Sequence, residues 1–433
     1  MFSSLSSFFA AFKLPDLRKR ILTMFGLFAV FVAGLHIPVP NIDRQAMQNL
    51  VDQGGSLFGL LDVFSGGAFR KFSIFAMSIT PYINASIIFQ LLGIASERIK
   101  QLSKEGEVGQ RKISQYTRYL TMALAMVQAF GLITWLRSMG IVKAIGVGQM
   151  FGMAVTLTGG TACLMWLAER ITDRGVGNGV SLIIFAGITA MLPTQARATW
   201  DALMGRSHQW YNVLFLFIIW TATIMAIIYM QQGQRKIPVQ HAKRVVGTRV
   251  YGGASTSLPL RVNSAGVIPI IFAMSISFFP AQIGRAAQGV LPKDWGPYLE
   301  QVIEFFSPGQ TATGTAMYFL LVILFTYFYT AVVINVPDLS DNLKKSGSYV
   351  PGIRPGKPTS DYLDKVLTRI TLAGALFLGV IALLQFYVPD ITGVHTFTLV
   401  GGTSLLIVVG VALETMQQLE AHLVMRHYEG FIK

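Results

Sequence analysis

Long uncharged runs alternate along this chain with short segments that hold most of its lysines and arginines. Ile21–Ile37 and Trp210–Met230, for example, contain no Asp, Glu, Lys or Arg. A helix rises about 1.5 Å per residue, so roughly 20 apolar residues cross a hydrocarbon core about 30 Å thick. The pattern predicts an all-α, polytopic membrane protein with about ten transmembrane helices. Their expected centres are Phe28, Ile83, Ala125, Leu164, Phe185, Ile219, Phe272, Leu324, Leu378 and Ile407.

Two of these runs differ from the others. The run Val180–Leu192 is short for a span, and the run around Tyr82 is interrupted by Pro81. We expect both to border protein more than lipid, because irregular backbone at membrane depth is tolerated where protein surrounds it.

The composition agrees with a membrane bundle. Hydrophobic residues make up 52% of the 433 residues and charged residues only 13%, far from the average of a soluble domain. The lone Cys163 excludes an intrachain disulfide framework. The first eleven residues predict a short interfacial helix, and the first apolar run is expected to remain as a span because no small-residue cleavage site follows it.

The distribution of positive charge predicts the orientation. The segments on one side of the predicted membrane carry 26 of the 35 lysines and arginines, and such an excess marks the cytoplasmic side. Both chain termini are therefore expected in the cytoplasm. The segments on this side are 1–20, 96–118, 169–178, 231–262, 336–369 and the residues after Glu414.

Two cytoplasmic loops are more basic than orientation requires. Loops 231–262 and 336–361 are marked by glycines and prolines, and proline stiffens the backbone by fixing φ. We interpret them as a docking platform for a large anionic partner, although charge that merely sets topology is the simpler alternative. The candidate docking residues are Arg235, Lys236, Lys243, Arg244, Arg249, Lys344, Lys345, Arg354 and Lys357.

The sequence offers little for catalysis, metal binding or cofactors. It has no HExxH or GxSxG motif, and its six histidines lack ligand spacing, so neither a metal nor a cofactor is predicted. The stretch Gly352–Lys357 ends like a phosphate loop, but Pro351 and Pro358 occupy positions that the motif needs for glycine and for serine or threonine. Gly175–Gly179 predicts a tight turn, with Asn178 or Ser181 capping the next helix.

Uncharged polar side chains lie within the predicted spans. Acids and bases are nearly absent at the span centres, which argues against an ion-coupled transporter of small solutes. Asn84, Gln128, Asn263 and Thr326 occur there instead. Each could be a hydrogen bond of helix packing, and together they could form a polar seam.

Five motifs identify a resemblance. In their order and spacing, from about Arg18 to about Glu420, they closely resemble the SecY family, the channel subunits of the bacterial protein translocase. These motifs are Leu61–Ala68, Ile79–Ile88, Trp166–Thr172 with the following glycine-rich turn, Leu258–Asn263 and Gly352–Gly356.

The resemblance implies two inverted five-helix halves around a central pore. The expected divisions are a cytoplasmic segment 1–20, halves 21–205 and 206–414, and a cytoplasmic tail 415–433. An apolar ring at the pore waist would seal by excluding water and would widen around a passing chain. By resemblance the ring consists of Ile79, Ile83, Ile184, Ile271 and Ile407.

Two further parts of the channel follow from the same resemblance. Segment 56–72, too short to cross a membrane, would be a re-entrant plug, with an interfacial helix as the alternative. Its candidate residues are Leu60, Leu61, Phe64, Ser65, Gly66 and Gly67. A lateral gate would lie between the spans around Ile83 and Ala125 and those around Phe272 and Leu324, held by hydrogen bonds of Asn84, Gln128 and Asn263.

The implied function is a protein-conducting channel in the bacterial cytoplasmic (inner) membrane. It would pass unfolded secretory polypeptides across the membrane and release transmembrane segments sideways into lipid. The implied partners are signal sequences and nascent polypeptides, small SecE-like and SecG-like membrane subunits, and membrane lipid. The SecA motor ATPase or a ribosome would dock on the basic loops, and the sequence leaves both open. The chain would not be an enzyme.

Overall fold

The computed structural model describes most of the chain. It covers residues 14–53, 59, 62–143, 146–205, 209–241, 244–246, 249–251, 255–288, 296–309, 311–394, 396–397 and 402–430. The expected interfacial helix of the first eleven residues, plug residues Leu60 and Leu61, and docking residue Lys243 lie outside these ranges. For Arg244 and Arg249 only the backbone is described.

Helices dominate the described residues. The first half of the chain contributes α1 (Pro15–Gly34), α2 (Arg44–Gln53), α3 (Ala68–Lys71), α4 (Thr80–Ala95), α5 (Glu97–Lys104), α6 (Glu107–Ser138), α7 (Val147–Arg174) and α8 (Gly179–Met204). The second contributes α9 (Trp210–Gln232), α10 (Ile268–Gln288), α11 (Gly296–Phe305), α12 (Ala312–Val333), α13 (Val336–Lys345), α14 (Lys357–Thr392) and α15 (Gly402–Gly430).

Short strands connect some of the later helices. They are β1 (Gln234–His241), β2 (Arg244–Val246), β3 (Arg249–Tyr251), β4 (Ser255–Arg261) and β5 (Ser348–Tyr349). Strand β1 is the centre of a three-stranded antiparallel sheet, with β4 on one side and β5 on the other. The pattern of apolar and polar positions did not predict this sheet.

The membrane-spanning class is confirmed. Within the described residues, seven helical segments are long and apolar enough to cross a bilayer, and α4 and Ile268–Ser277 are shorter apolar helices. Helix α1 has its charges in its first six residues and is apolar from Ile21 onward. All ten expected centres fall in helices, but the number of ten spans itself stays a prediction.

The two unusual runs have different outcomes. The run around Tyr82 is interrupted as expected, since residues 72–79 are not helical and α4 begins at Thr80 with Pro81 in its first turn, where a proline sacrifices no helical hydrogen bond. The run Val180–Leu192, expected to be short for a span, is part of a longer helix. Helix α8 continues through Pro193 to Met204, so its 26 residues extend about 39 Å.

The turn Gly175–Gly179 has the predicted cap. The Asn178 side chain accepts hydrogen bonds from the backbone N of Val180 at 3.0 Å and of Ser181 at 3.4 Å, so Asn178 rather than Ser181 caps α8. Gly177 in this turn has φ +93°, a conformation that favours glycine.

A small apolar cluster beside this turn joins the beginning and the end of the chain. Leu17 and Ile21 of α1, Val176 of the turn and Leu419 of α15 are all buried together. The Arg20 guanidinium also donates to the Gly175 carbonyl at 3.3 Å. The first and last spans are thus fixed to the same loop between α7 and α8.

Candidate functional site

A narrow apolar cavity lies where α4, α8 and α10 meet in the main core. Four of the five proposed ring residues line it: Ile79, Ile83, Ile184 and Ile271. Its volume is about 40 Å³, room for no more than a few water molecules. The fifth residue, Ile407 of α15, is buried in the same core but does not line the cavity.

Phe64 lines this cavity from the side of the plug segment. Its ring is half-buried, and it lines the cavity together with Ser78 and the isoleucines. The Ser78 hydroxyl donates to the Phe64 carbonyl at 3.2 Å, and Ser78 has φ +53°, an uncommon value for a residue other than glycine. The backbone just before α4 is thereby fixed against the plug segment, beside Ile79.

A buried carboxylate organises the described part of the plug segment. Asp62 is only 2% exposed, and its Oδ1 accepts from the Arg70 backbone N at 2.7 Å, while its Oδ2 lies 3.6 Å from Arg70 Nε. Ser65 Oγ donates to the Asp62 carbonyl and accepts from Phe69 N, at 2.9 and 3.0 Å. Sequence reasoning missed Asp62, although it stands within a motif that carried the resemblance.

The Gly66–Gly67 pair of the plug segment lies against α8. Gly66 and Gly67 have φ +70° and +82°, which glycine adopts without steric cost. A Cβ on Gly66 would lie 2.8 Å from the Cα of Gly187, a separation too short for two carbons that are not bonded. The contact therefore requires glycine on the plug side, both for conformation and for space.

The expected seam is closed in this structure. Helix α10 packs against both α4 and α6 and also against α12. Asn263 Nδ2 donates to the Gly266 carbonyl at 3.1 Å within its own turn, and the buried Gln128 Nε2 has no hydrogen-bond partner in the described part of the chain. Asn84 is half-buried on α4. Among the described residues no hydrogen bond joins these three amides, so the expected bonds across the seam are not formed here.

The two basic loops form one structure. Strands β1 and β4 belong to loop 231–262, β5 belongs to loop 336–361, and β1 pairs with both. His241 Nδ1 lies 2.7 Å from Ser348 Oγ. Beneath the sheet an apolar cluster includes Ile237, Leu260 and Val350. The docking residues whose side chains are described are all exposed: Arg235, Lys236, Lys344, Lys345, Arg354 and Lys357.

The turn that carries Arg354 is held by hydrogen bonds at both of its ends. Thr359 Oγ1 donates to the Arg354 carbonyl at 2.8 Å, and Ser340 Oγ donates to the Gly356 carbonyl at 2.9 Å. Gly352 and Gly356 both have positive φ, at +81° and +97°. The Arg354 guanidinium is thus presented to solvent from an ordered turn.

No group of three His, Cys, Asp or Glu side chains is placed to hold a metal ion in the part of the chain that the structure describes. The arrangement offers instead an apolar constriction, a segment packed into it, a closed helix seam and an exposed basic surface. These features can gate a passage, and they bring no reactive groups together.

The comparisons with known proteins agree with this arrangement. The SecY family model matches residues 73–416. The chain is 42% identical over 444 residues to the protein translocase subunit SecY of Streptomyces scabiei, covering 99% of this chain and 100% of the relative.

Solved structures with the same fold include a protein-conducting channel, with a TM-score of 0.67 at 15% identity over 95% of this chain and 96% of the other. The Sec61 chain of a canine ribosome-channel complex from the endoplasmic reticulum has a TM-score of 0.65 at 15% identity, with the same coverage. By its sequence match over almost its whole length, this chain belongs to the SecY family of protein translocase subunits.

Proposed function

We propose that the isoleucine-lined cavity and the plug segment are the closed constriction of a protein-conducting channel in the bacterial cytoplasmic membrane. The observation that carries this proposal is the shared lining: four ring isoleucines converge on a cavity of about 40 Å³ that Phe64 completes. An apolar waist this narrow dewets and so resists ions and small solutes. Aliphatic side chains without mutual hydrogen bonds can move apart around a passing polypeptide.

Displacement of the plug segment would open the passage. An unfolded chain cannot cross lipid, because each unpaired backbone polar group costs several kcal/mol there, so a wet route is needed. The Gly66–Gly187 approach and the hydrogen bond from Ser78 to Phe64 hold the plug segment to α8 and to the backbone before α4, and both would have to separate when the segment leaves.

The seam beside α10 is the proposed exit into lipid. Helix α10 contacts α4 and α6 there, and Asn84, Gln128 and Asn263 are its proposed gate residues. A buried donor without a partner, such as Gln128 Nε2, raises the free energy of the closed state. Opening of the seam to admit an apolar signal sequence would let that donor reach a partner, and the segment could then pass sideways into the membrane.

The sheet that joins the two basic loops is the proposed docking platform. Its exposed basic side chains suit the phosphates of ribosomal RNA or the acidic surface of a SecA-like motor. The Sec61 relative in fold was solved within a ribosome-channel complex, which supports the ribosome as one partner. SecE-like and SecG-like subunits belong to the same proposal, as does the cytoplasmic location of both termini and of the platform.

The constriction can be tested by widening it. Replacing Ile83 and Ile271 together with Gly should raise ion leak through reconstituted vesicles by about tenfold, because a wider apolar waist wets more readily. The matched control replaces Ile218 and Ile391 together with Gly. These two isoleucines are 55% and 64% exposed on the bundle surface. Equal sealing by both double variants would show that the cavity isoleucines are ordinary packing.

A further inference from the structure

A second cleft, away from the constriction, opens between the end of α12, the start of α13 and the first turns of α14. Its volume is about 190 Å³. Its polar lining includes Tyr327, Thr330, Asn335, Asp364 and Thr368. Asp364 is the only charged residue in that lining, on a protein with a net charge of +14.

Three hydroxyl groups of this cleft already donate their hydrogens to backbone carbonyls. Tyr327 OH donates to the Thr368 carbonyl at 3.2 Å, Thr330 Oγ1 to the Thr326 carbonyl at 2.7 Å, and Thr368 Oγ1 to the Asp364 carbonyl at 2.8 Å. Each oxygen retains only lone pairs for a ligand. With the Asp364 carboxylate, these groups present acceptors to whatever enters the cleft.

The start of α13 does not make the cleft attractive to anions. Asn335 Oδ1 accepts from Asp338 N at 3.4 Å, and Asn335 Nδ2 donates to Asp338 Oδ2 at 2.6 Å. The helix N-terminus therefore already has a carboxylate beside it. Both the charge and the hydrogen-bonding capacity of the cleft favour a cation with several N–H donors.

An exposed apolar surface continues from the cleft along the two helices toward the membrane centre. On α12, Leu324 and Leu320 are 58% and 59% exposed, and they precede Tyr327 by three and seven residues. On α14, Leu372 and Leu376 are 47% and 44% exposed, and they follow Thr368 by four and eight residues. Acyl chains could lie along this surface while a headgroup occupies the cleft.

We propose that this cleft binds a phospholipid with a primary ammonium headgroup, such as phosphatidylethanolamine. The ammonium has three N–H donors for Asp364 and for the lone pairs of Tyr327 and Thr330. A trimethylammonium headgroup has none, so the site should discriminate between the two at equal charge. The proposal depends on membrane placement and not on polypeptide transport.

The test measures which lipids stay bound. The full-length protein is placed in nanodiscs with equal amounts of phosphatidylethanolamine, phosphatidylcholine and phosphatidylglycerol of the same chains, and native mass spectrometry counts the retained lipids. We expect ethanolamine lipid to be enriched, and Asp364→Asn to reduce that enrichment by about tenfold, because bonds to a charged acceptor are the strong ones. Asp364→Glu should retain it.

The matched control is Asp361→Asn, which removes an exposed acid three residues earlier on α14 and outside the cleft lining. A diazirine on an acyl chain of the ethanolamine lipid, which leaves the primary ammonium intact, should label α12 and α14 along the apolar surface beside the cleft. Equal retention of choline lipid, equal loss in both Asn variants, or no labelling of these two helices would each overturn the proposal.

Discussion

At the scale of single residues, Asp62 shows how a sequence motif acquires its meaning only in three dimensions. Its carboxylate bonds the backbone and approaches the side chain of Arg70, eight positions along the chain. Hydrophobic periodicity and composition cannot show such a contact, since neither says which distant side chains meet in the folded chain. The positive φ of Gly66 was open to prediction from its residue type, but its approach to Gly187 was not.

Removing the Asp62 carboxylate should loosen the internal structure of the plug segment. Asp62→Ala removes the acceptor of the Arg70 N–H, which costs about 1–3 kcal/mol in a buried site, and the loosened segment should seal the cavity less tightly. Ion leak through vesicles in the absence of substrate measures the change. Asp390→Ala, which removes an exposed acid of α14, is the control. If Asp62→Ala leaks no more than Asp390→Ala, the role assigned to Asp62 is wrong.

Gly66 should tolerate alanine less well than another glycine with the same backbone conformation. Gly66→Ala incurs the left-handed backbone cost of about 1–2 kcal/mol and also a collision with Gly187. Gly140→Ala, at φ +74° with no atom within 4 Å, incurs the backbone cost alone. More leak and faster protease cleavage near the plug segment are expected only for Gly66→Ala; identical behaviour of the two variants would argue against a tight contact.

At the scale of elements, the spans were predictable and the sheet was not. Apolar runs of sufficient length can satisfy their backbone in lipid only as helices here, so the span centres followed directly from the sequence. The sheet depends on pairs such as Gln240 with Tyr349, more than a hundred residues apart. Ile237 and Val239 do alternate with exposed neighbours, but Pro238 between them weakens the strand pattern.

The ordered turn around Arg354 gives an element-level prediction. Arg354→Glu should abolish ATP-driven transport of a model precursor, because a guanidinium held in a fixed turn can bind a carboxylate or phosphate in a bidentate fork. Lys357→Glu makes the same charge change at an exposed neighbour and should act several-fold more weakly. Ribosome binding is assayed in parallel. If both variants transport and bind like the parent, the loop is only a topological charge cluster.

At the scale of the whole molecule, charge asymmetry sets orientation and packing sets shape. Some of the 26 basic residues of the predicted cytoplasmic segments lie on the strands and helices of the docking platform. The same residues therefore contribute to the predicted orientation and to the proposed docking surface. The division into halves 21–205 and 206–414 stays a prediction.

The orientation can be measured directly. In a Cys163→Ala background, cysteines at exposed Ser257 and Ser346 should react with an impermeant maleimide only from the cytoplasmic side, since the positive excess lies there. A cysteine at exposed Ser138, the last residue of α6, should react only from outside. The reverse labelling pattern would overturn the predicted topology.

The pairing of β1 with both β4 and β5 has a mechanical consequence. Strand β1 follows α9 directly and β4 leads into α10, while β5 lies between α13 and α14. A load applied anywhere on this sheet is therefore divided among several spans at once instead of bending one loop. A motor or ribosome bound to the sheet would therefore transmit force to α10. That helix contributes Ile271 to the cavity lining and packs against α4 and α6 at the seam.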